Sequence, residues 1–149
     1  MTTLKQNSQT LQLQQFELPA YDAALLPQTE MADIDAKPKH SLFVVQHDCL
    51  GHVAAPEGCK LMASLLDQFV ELEALPAAVI LQGRGVALAA PDNAAQAALA
   101  RYISLGVRVL ICQKSVEALH SDCRLEGSEL VEQREIAKQI VLYSDIIWL

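Results

Sequence analysis

Along the chain, short runs of apolar residues alternate with stretches in which apolar residues recur at helical spacing. Ser41 to Gln46 (SLFVVQ), Ala77 to Gln82 (AAVILQ) and Val107 to Cys112 (VRVLIC) are nearly wholly apolar, and Asp145 to Leu149 (DIIWL) is a further such run. Runs of this kind read as strands covered on both faces of a parallel sheet. Between the first two, Leu61, Leu65, Phe69 and Leu72, with Met62 and Leu66 beside them, predict a helix. It starts near Pro56-Glu57, where proline and an acidic side chain suit a first turn, and Pro76 ends the segment. Asp92 or Asn93 caps a second helix that runs through Leu105, with Leu99, Tyr102 and Ile103 on its apolar side and Gly106 at its end. After Cys112 the pattern predicts a short helix from about Ser115 to His120 and a turn at Ser121 to Arg124 carrying Cys123. A short strand or loop at Leu125 to Glu129 follows, then a helix from about Val131 to Tyr143 with Ile136, Ile140 and Val141 inward. The order is β-α-β-α-β-α-(β)-α-β. With right-handed crossovers it gives an α/β fold: a doubly wound, mainly parallel sheet of about five strands with helices on both faces.

Residues 1–40 break this rhythm. They are rich in Gln, Thr and Asp, and Pro19, Pro27 and Pro38 interrupt any long helix. The expected organisation is an N-terminal extension over 1–40, partly disordered, ahead of an α/β domain over 41–149. Phe16 to Leu26 is apolar enough to dock on the domain or on a neighbouring subunit, and Lys37-Pro38-Lys39 reads as the linker.

Composition narrows the class. Of the 149 residues 52% are hydrophobic but only 5% aromatic, and the mean hydropathy is +0.21. Ala, Val, Leu and Ile in that excess suit helices packed closely on a parallel sheet better than an aromatic-rich sandwich. The net charge of −7 and the lack of a Lys/Arg cluster argue against nucleic acid and anionic membrane as partners. No uninterrupted apolar stretch is long enough for a transmembrane helix, and the start of the chain does not read as a signal peptide, so a cytoplasmic setting is expected. Cys49, Cys59, Cys112 and Cys123 are then reduced thiols. They form no Cys-x-x-Cys pair and no zinc spacing, so neither a metal site nor a cofactor is expected.

The candidate chemistry gathers where strands end. Cys112 stands at the carboxyl end of a strand and just before a helix, the edge at which ligands and reactive groups collect in open α/β sheets. A helix N-terminus, backbone N–H groups and Lys114 are each able to favour a thiolate there. The plainer reading makes Cys112 the last packed residue of a core strand. His47, Asp48, Cys49 and His52 leave the same edge as a polar loop and read as pocket lining, while Cys59 reads as packing in the first turn of the following helix. Gly83-Arg84-Gly85 follows the second strand but lacks the third glycine of a dinucleotide site, and reads as a flexible turn.

The stretch GVRVLICQKSVEAL resembles the segment of the DsrE/DsrF-like sulfur-relay family in which a strand delivers the sulfur-carrying cysteine just before a helix, and that position falls on Cys112. LPAAVILQGRGVALA, then Leu105-Gly106-Val107, the Cys112 strand and SDIIWL are similar in order to the DsrE-like domain of selenium-metabolism proteins of the YedF type. Those often have Cys-Gly-x-Cys at the active position. Here Cys112-Gln113-Lys114-Ser115 lacks the second cysteine, and the extension lacks the Cys-Pro-x-Pro motif of the small sulfur carrier fused to YedF. The resemblance covers Ser41 to Leu149. It implies a DsrE-like domain, a cysteine persulfide carrier or sulfurtransferase using Cys112, sulfur donor and acceptor proteins as partners, and a homo-oligomer, a trimer or hexamer. His47, His52, Arg84, Lys114 and Ser115 are the candidates for assisting or lining the site. Two alternatives stand beside this: a non-catalytic oligomeric accessory subunit of the same fold in which Cys112 only packs, and a small-ligand-binding α/β domain using the Gly83-Arg84-Gly85 turn.

Overall fold

The computed structural model describes residues 41–123 and 125–149. The expectations for residues 1–40, including the docking piece at Phe16 to Leu26, lie outside the described residues. The strands are β1 (Ser41–Val45), β2 (Ala78–Leu81), β3 (Arg108–Cys112), β4 (Glu129–Val131) and β5 (Asp145–Trp148). They alternate with helices α1 (Glu57–Glu71), α2 (Ala95–Ser104), α3 (Gln113–Leu119) and α4 (Gln133–Leu142), and a 3-10 helix occupies Gly83–Ala89. The sheet order is β4-β3-β2-β1-β5 and every neighbouring pair is parallel, as the alternation of runs predicts. Phe43 stands opposite Val79 on one side and Ile147 on the other, and Val79 opposite Val109.

The two sheet faces have different cover. Phe43, Val45, Val79, Leu81, Val109 and Ile111 meet Met62, Leu66 and Val70 of α1, Leu99 and Tyr102 of α2, and Val86 and Leu88 of the 3-10 helix. Leu42, Val44, Ala78, Ile80, Leu110 and Cys112 form the opposite face with Ile136 of α4, and Ile140 and Tyr143 pack at its margin. On the first face α1 and α2 are also tied to each other. The buried Tyr102 hydroxyl donates to the Leu66 carbonyl at 2.8 Å, and Arg101 reaches Asp67 at 3.1 Å and Glu71 at 2.7 Å.

Several expectations shift. The inward stripe of α1 is Met62, Ala63, Leu66 and Val70, whereas Leu61 and Leu72 are exposed. Apolar residues fill two adjacent stripes of this helix, and the Phe69 ring, 4.8 Å from that of Phe43, helps set which one faces the sheet. On α4, Ile136 is buried as expected, but Gln139 takes the place foreseen for Val141, which is 83% exposed. β4 spans Glu129–Val131, so only the last residue of the Leu125–Glu129 stretch is strand, and Leu125 joins the core instead. Helix α2 starts at Ala95 with Ala94 at the cap position, and the Ala95 amide donates to Asn93 Oδ1 at 2.9 Å, so Asn93 holds the turn leading into the helix. Gly83-Arg84-Gly85 is not a flexible turn. It opens the 3-10 helix, and Gly85 is buried so tightly against β1 that a Cβ there would run into the Val45 carbonyl. Among the described residues no helix is long and apolar enough to cross a membrane.

Candidate functional site at the carboxyl edge of the sheet

Cys112 ends β3 and is the residue immediately before α3, which begins at Gln113 and not at Ser115. Its backbone placement is the expected one. Its side chain is not open to solvent: in a strand covered on both faces, alternation turns Cys112 with Leu110 toward Ile136 of α4, and the residue is 1% exposed. Ile111 points the other way, to a hollow it shares with Cys123, Leu125 and Ser128. The thiol is therefore sealed beneath α4, where the plainer reading of a packed strand-end residue put it.

The remaining candidates divide between the loops that leave the same edge. Ser115 Oγ accepts the Gly83 amide at 2.9 Å, which ties the first turn of α3 to the end of β2. Arg84 pairs with Asp48 at 3.0 Å, joining the loops after β2 and β1. The carboxylate of Asp48 holds the Arg84 guanidinium above its ordinary range, first through this hydrogen bond and then through its charge. Lys114 is exposed and lies 3.6 Å from Glu117, on the solvent side of α3. His47 and His52 are both exposed on the loop after β1.

Two backbone amides of the Gly83-Arg84-Gly85 turn are engaged within the protein. Gly83 N–H goes to Ser115, and Gly85 N–H goes to the carbonyls of Gln46 at 3.1 Å and Gln82 at 3.0 Å.

What the sequence reading missed is the partner of Cys49. Cys59, expected only to pack, stands beside it: the ligand atoms of Asp48, Cys49 and Cys59 all lie within 4.8 Å of one another. Both cysteines are half-buried. The loop between them contains Gly51, Pro56 and Gly58, residues that turn a chain back on itself, and these were the signal in the sequence. Leu50 N–H donates to the Gly58 carbonyl at 2.9 Å and Gly58 N–H to the Ala54 carbonyl at 2.9 Å, which closes the loop. The Cys49 thiol is pushed up to about 11, first by its hydrogen bond with Cys59, then by burial and by the negative charge of Asp48. Two thiols and a carboxylate this close have the donor set of a soft-metal site, although the Arg84 guanidinium on Asp48 opposes a cation there. Cys123 is apart from this group, its thiol donating to the Val86 carbonyl at 3.1 Å.

No family model matches the sequence, and no curated protein does. Solved structures do match. The YchN protein of E. coli aligns with a TM-score of 0.54 at 14% identity, over 74% of this chain and 99% of that one. MTH1491 of Methanobacterium thermoautotrophicum, a protein of unknown function, aligns with a TM-score of 0.52 at 18% identity, over 73% of this chain and 97% of that one. Both neighbours have the DsrE-like fold, and at these identities the likeness is one of fold: the five-stranded parallel α/β domain described here is DsrE-like.

Proposed function

We propose that this chain is a sulfur-relay protein, a persulfide carrier or sulfurtransferase that takes a sulfane sulfur from a donor protein onto a cysteine and hands it to an acceptor. The observation that carries the reading is the place of Cys112, which closes β3 at the carboxyl edge of a DsrE-like sheet directly ahead of α3. A thiolate there attacks the outer sulfur of the donor persulfide, the S–S bond of the donor breaks, and the donor leaves as its thiolate. Arg84 and Lys114 supply positive charge at that edge for the incoming anion, while Ser115 fixes the start of α3. His47 and His52 are the proton carriers within the adjoining loop. The reading includes a reducing, cytoplasmic setting and a homo-oligomer, a trimer or hexamer.

The burial of Cys112 sets a condition on this reading: sulfur reaches the thiol only when α4 moves off it. The same burial favours a second reading, an accessory subunit of this fold in which Cys112 packs and carries nothing, because buried structural cysteines are inert. The test is the intact mass of the full-length protein after incubation with a persulfide donor, beside Cys112→Ser. Uptake of one sulfur by the native protein and none by the variant is the expected result. No uptake, or equal uptake by both, rejects Cys112 as the carrier and leaves the accessory reading.

A further inference from the structure

The loop between β1 and α1 brings Cys49 and Cys59 together, and nothing in the sulfur-relay reading uses them. Their sulfur atoms lie within 4.8 Å of each other, and the backbone on either side is already fastened. Leu50, next to Cys49, donates its amide to the carbonyl of Gly58, next to Cys59, at 2.9 Å. Gly58 also lets the two strands of the loop touch, since a Cβ at that position would lie 3.0 Å from Cys49 Cβ and would collide with the Val53 carbonyl. Disulfides need β-carbons about 3.5–4.5 Å apart and sulfurs about 2 Å apart. The sulfurs are already within 4.8 Å, and the hydrogen bond between the neighbouring residues holds the two backbone segments side by side.

We propose that Cys49 and Cys59 form a thiol–disulfide exchange couple whose substrate class is small aliphatic disulfides. Cys59, in the first turn of α1, gives its proton to solvent and attacks first. It bonds to one sulfur of R–S–S–R, the S–S bond of the small disulfide breaks, and the first R–S⁻ leaves and takes up a proton. Cys49 then gives its proton to solvent and attacks the Cys59 sulfur of the mixed disulfide, and the second R–S⁻ leaves and is protonated. Both cysteines are oxidised by one electron each, and one small disulfide is reduced to two thiols. The high proton affinity of Cys49 fits the role of the second, resolving thiol. Arg84 on Asp48 argues against the competing occupant, a soft metal cation. The couple is independent of Cys112 and of sulfur relay.

The experiment equilibrates the full-length protein in buffers of reduced and oxidised glutathione, with no persulfide present, then blocks free thiols and maps them. Trypsin leaves Cys49 and Cys59 in one peptide, residues 40–60, so the closed couple appears as that peptide unalkylated and lighter by two hydrogens. Cleavage after Glu57 lies between the two cysteines, and reduction alone then separates the halves. The expected result is complete closure of this pair at ratios that leave Cys112 reduced. Cys49→Ser then accumulates a glutathione adduct on Cys59, and Cys59→Ser loses the cross-link. Two separate glutathione adducts in the native 40–60 peptide, or two free thiols up to fully oxidised glutathione, would overturn the proposal. So would tight zinc retention by the reduced protein that blocks closure, which would reassign Asp48, Cys49 and Cys59 to a metal. Because the native protein alone decides these outcomes, a variant that fails to fold does not affect the test.

Discussion

Cys112 and Glu129 illustrate how a single residue's role depends on the neighbour opposite it. Glu129 on β4 receives two hydrogen bonds from Arg108 of β3, at 2.9 and 3.0 Å, and these hold its carboxyl below the usual range. A depressed carboxylate contributes stability that is present above its unfolded value and is lost as pH falls through the folded one. Both side chains are close to half exposed, so the contribution is about 1 kcal/mol at most. Arg108→Gln is expected to lower stability by a few tenths to about 1 kcal/mol near pH 7, with the difference from the native protein shrinking as pH falls below the ordinary carboxylate range, measured by urea unfolding. Cys112 was legible in the sequence as a strand-end residue ahead of a helix. Its orientation was not, because in VRVLIC both faces are apolar and alternation alone does not say which face α4 will cover. Cys59 was missed for a related reason. Its meeting with Cys49 depends on a loop closed by backbone hydrogen bonds between Leu50, Ala54 and Gly58, and no periodicity records those.

At the level of elements, the runs SLFVV, AVIL and DIIW were readable to within a residue because a buried parallel strand admits almost nothing but apolar residues. Helix α1 was readable as a helix but not in its rotation. Leu61, Leu65 and Leu72 make one stripe, and Met62, Leu66 and Val70 make another one position along. Only the packing against the sheet and α2 chooses between them. The choice is measurable. Leu66→Ala, at a fully buried position, is expected to cost about 2–5 kcal/mol, and Leu61→Ala, 46% exposed, less than about 1 kcal/mol. Equal losses in thermal or urea unfolding would place the helix in the rotation that its leucines suggest.

For the molecule as a whole, several large apolar residues are left outside the core of the described residues. Val141 and Leu142 at the end of α4 are 83% and 75% exposed, and Trp148 on edge strand β5 and Leu130 on edge strand β4 are 53% and 58% exposed. The homo-oligomer of the functional proposal would cover part of this exposed apolar surface, as subunit contacts commonly do. The full-length protein is expected to scatter light as a trimer or hexamer at micromolar concentration, and Val141→Glu with Leu142→Glu to shift it toward the monomer. A monomer mass for the native chain rejects the assembly.

β5 pairs with β1, Ser41 opposite Asp145, and Leu149 closes the register through hydrogen bonds of 2.8 Å to Val44 and 2.9 Å from Gln46. Almost all of the described chain lies between those partners, whereas β1, β2 and β3 are joined through single crossovers. The entropy of closing a loop grows with its length, so the pairing of β5 is the one that waits. In kinetic terms β5 belongs after the transition state for folding, and its contacts weigh on the escape from the native state. Ile147→Ala is therefore expected to raise the unfolding rate while leaving the refolding rate nearly unchanged, and Val79→Ala on β2 to slow refolding, both read from the two limbs of a denaturant chevron.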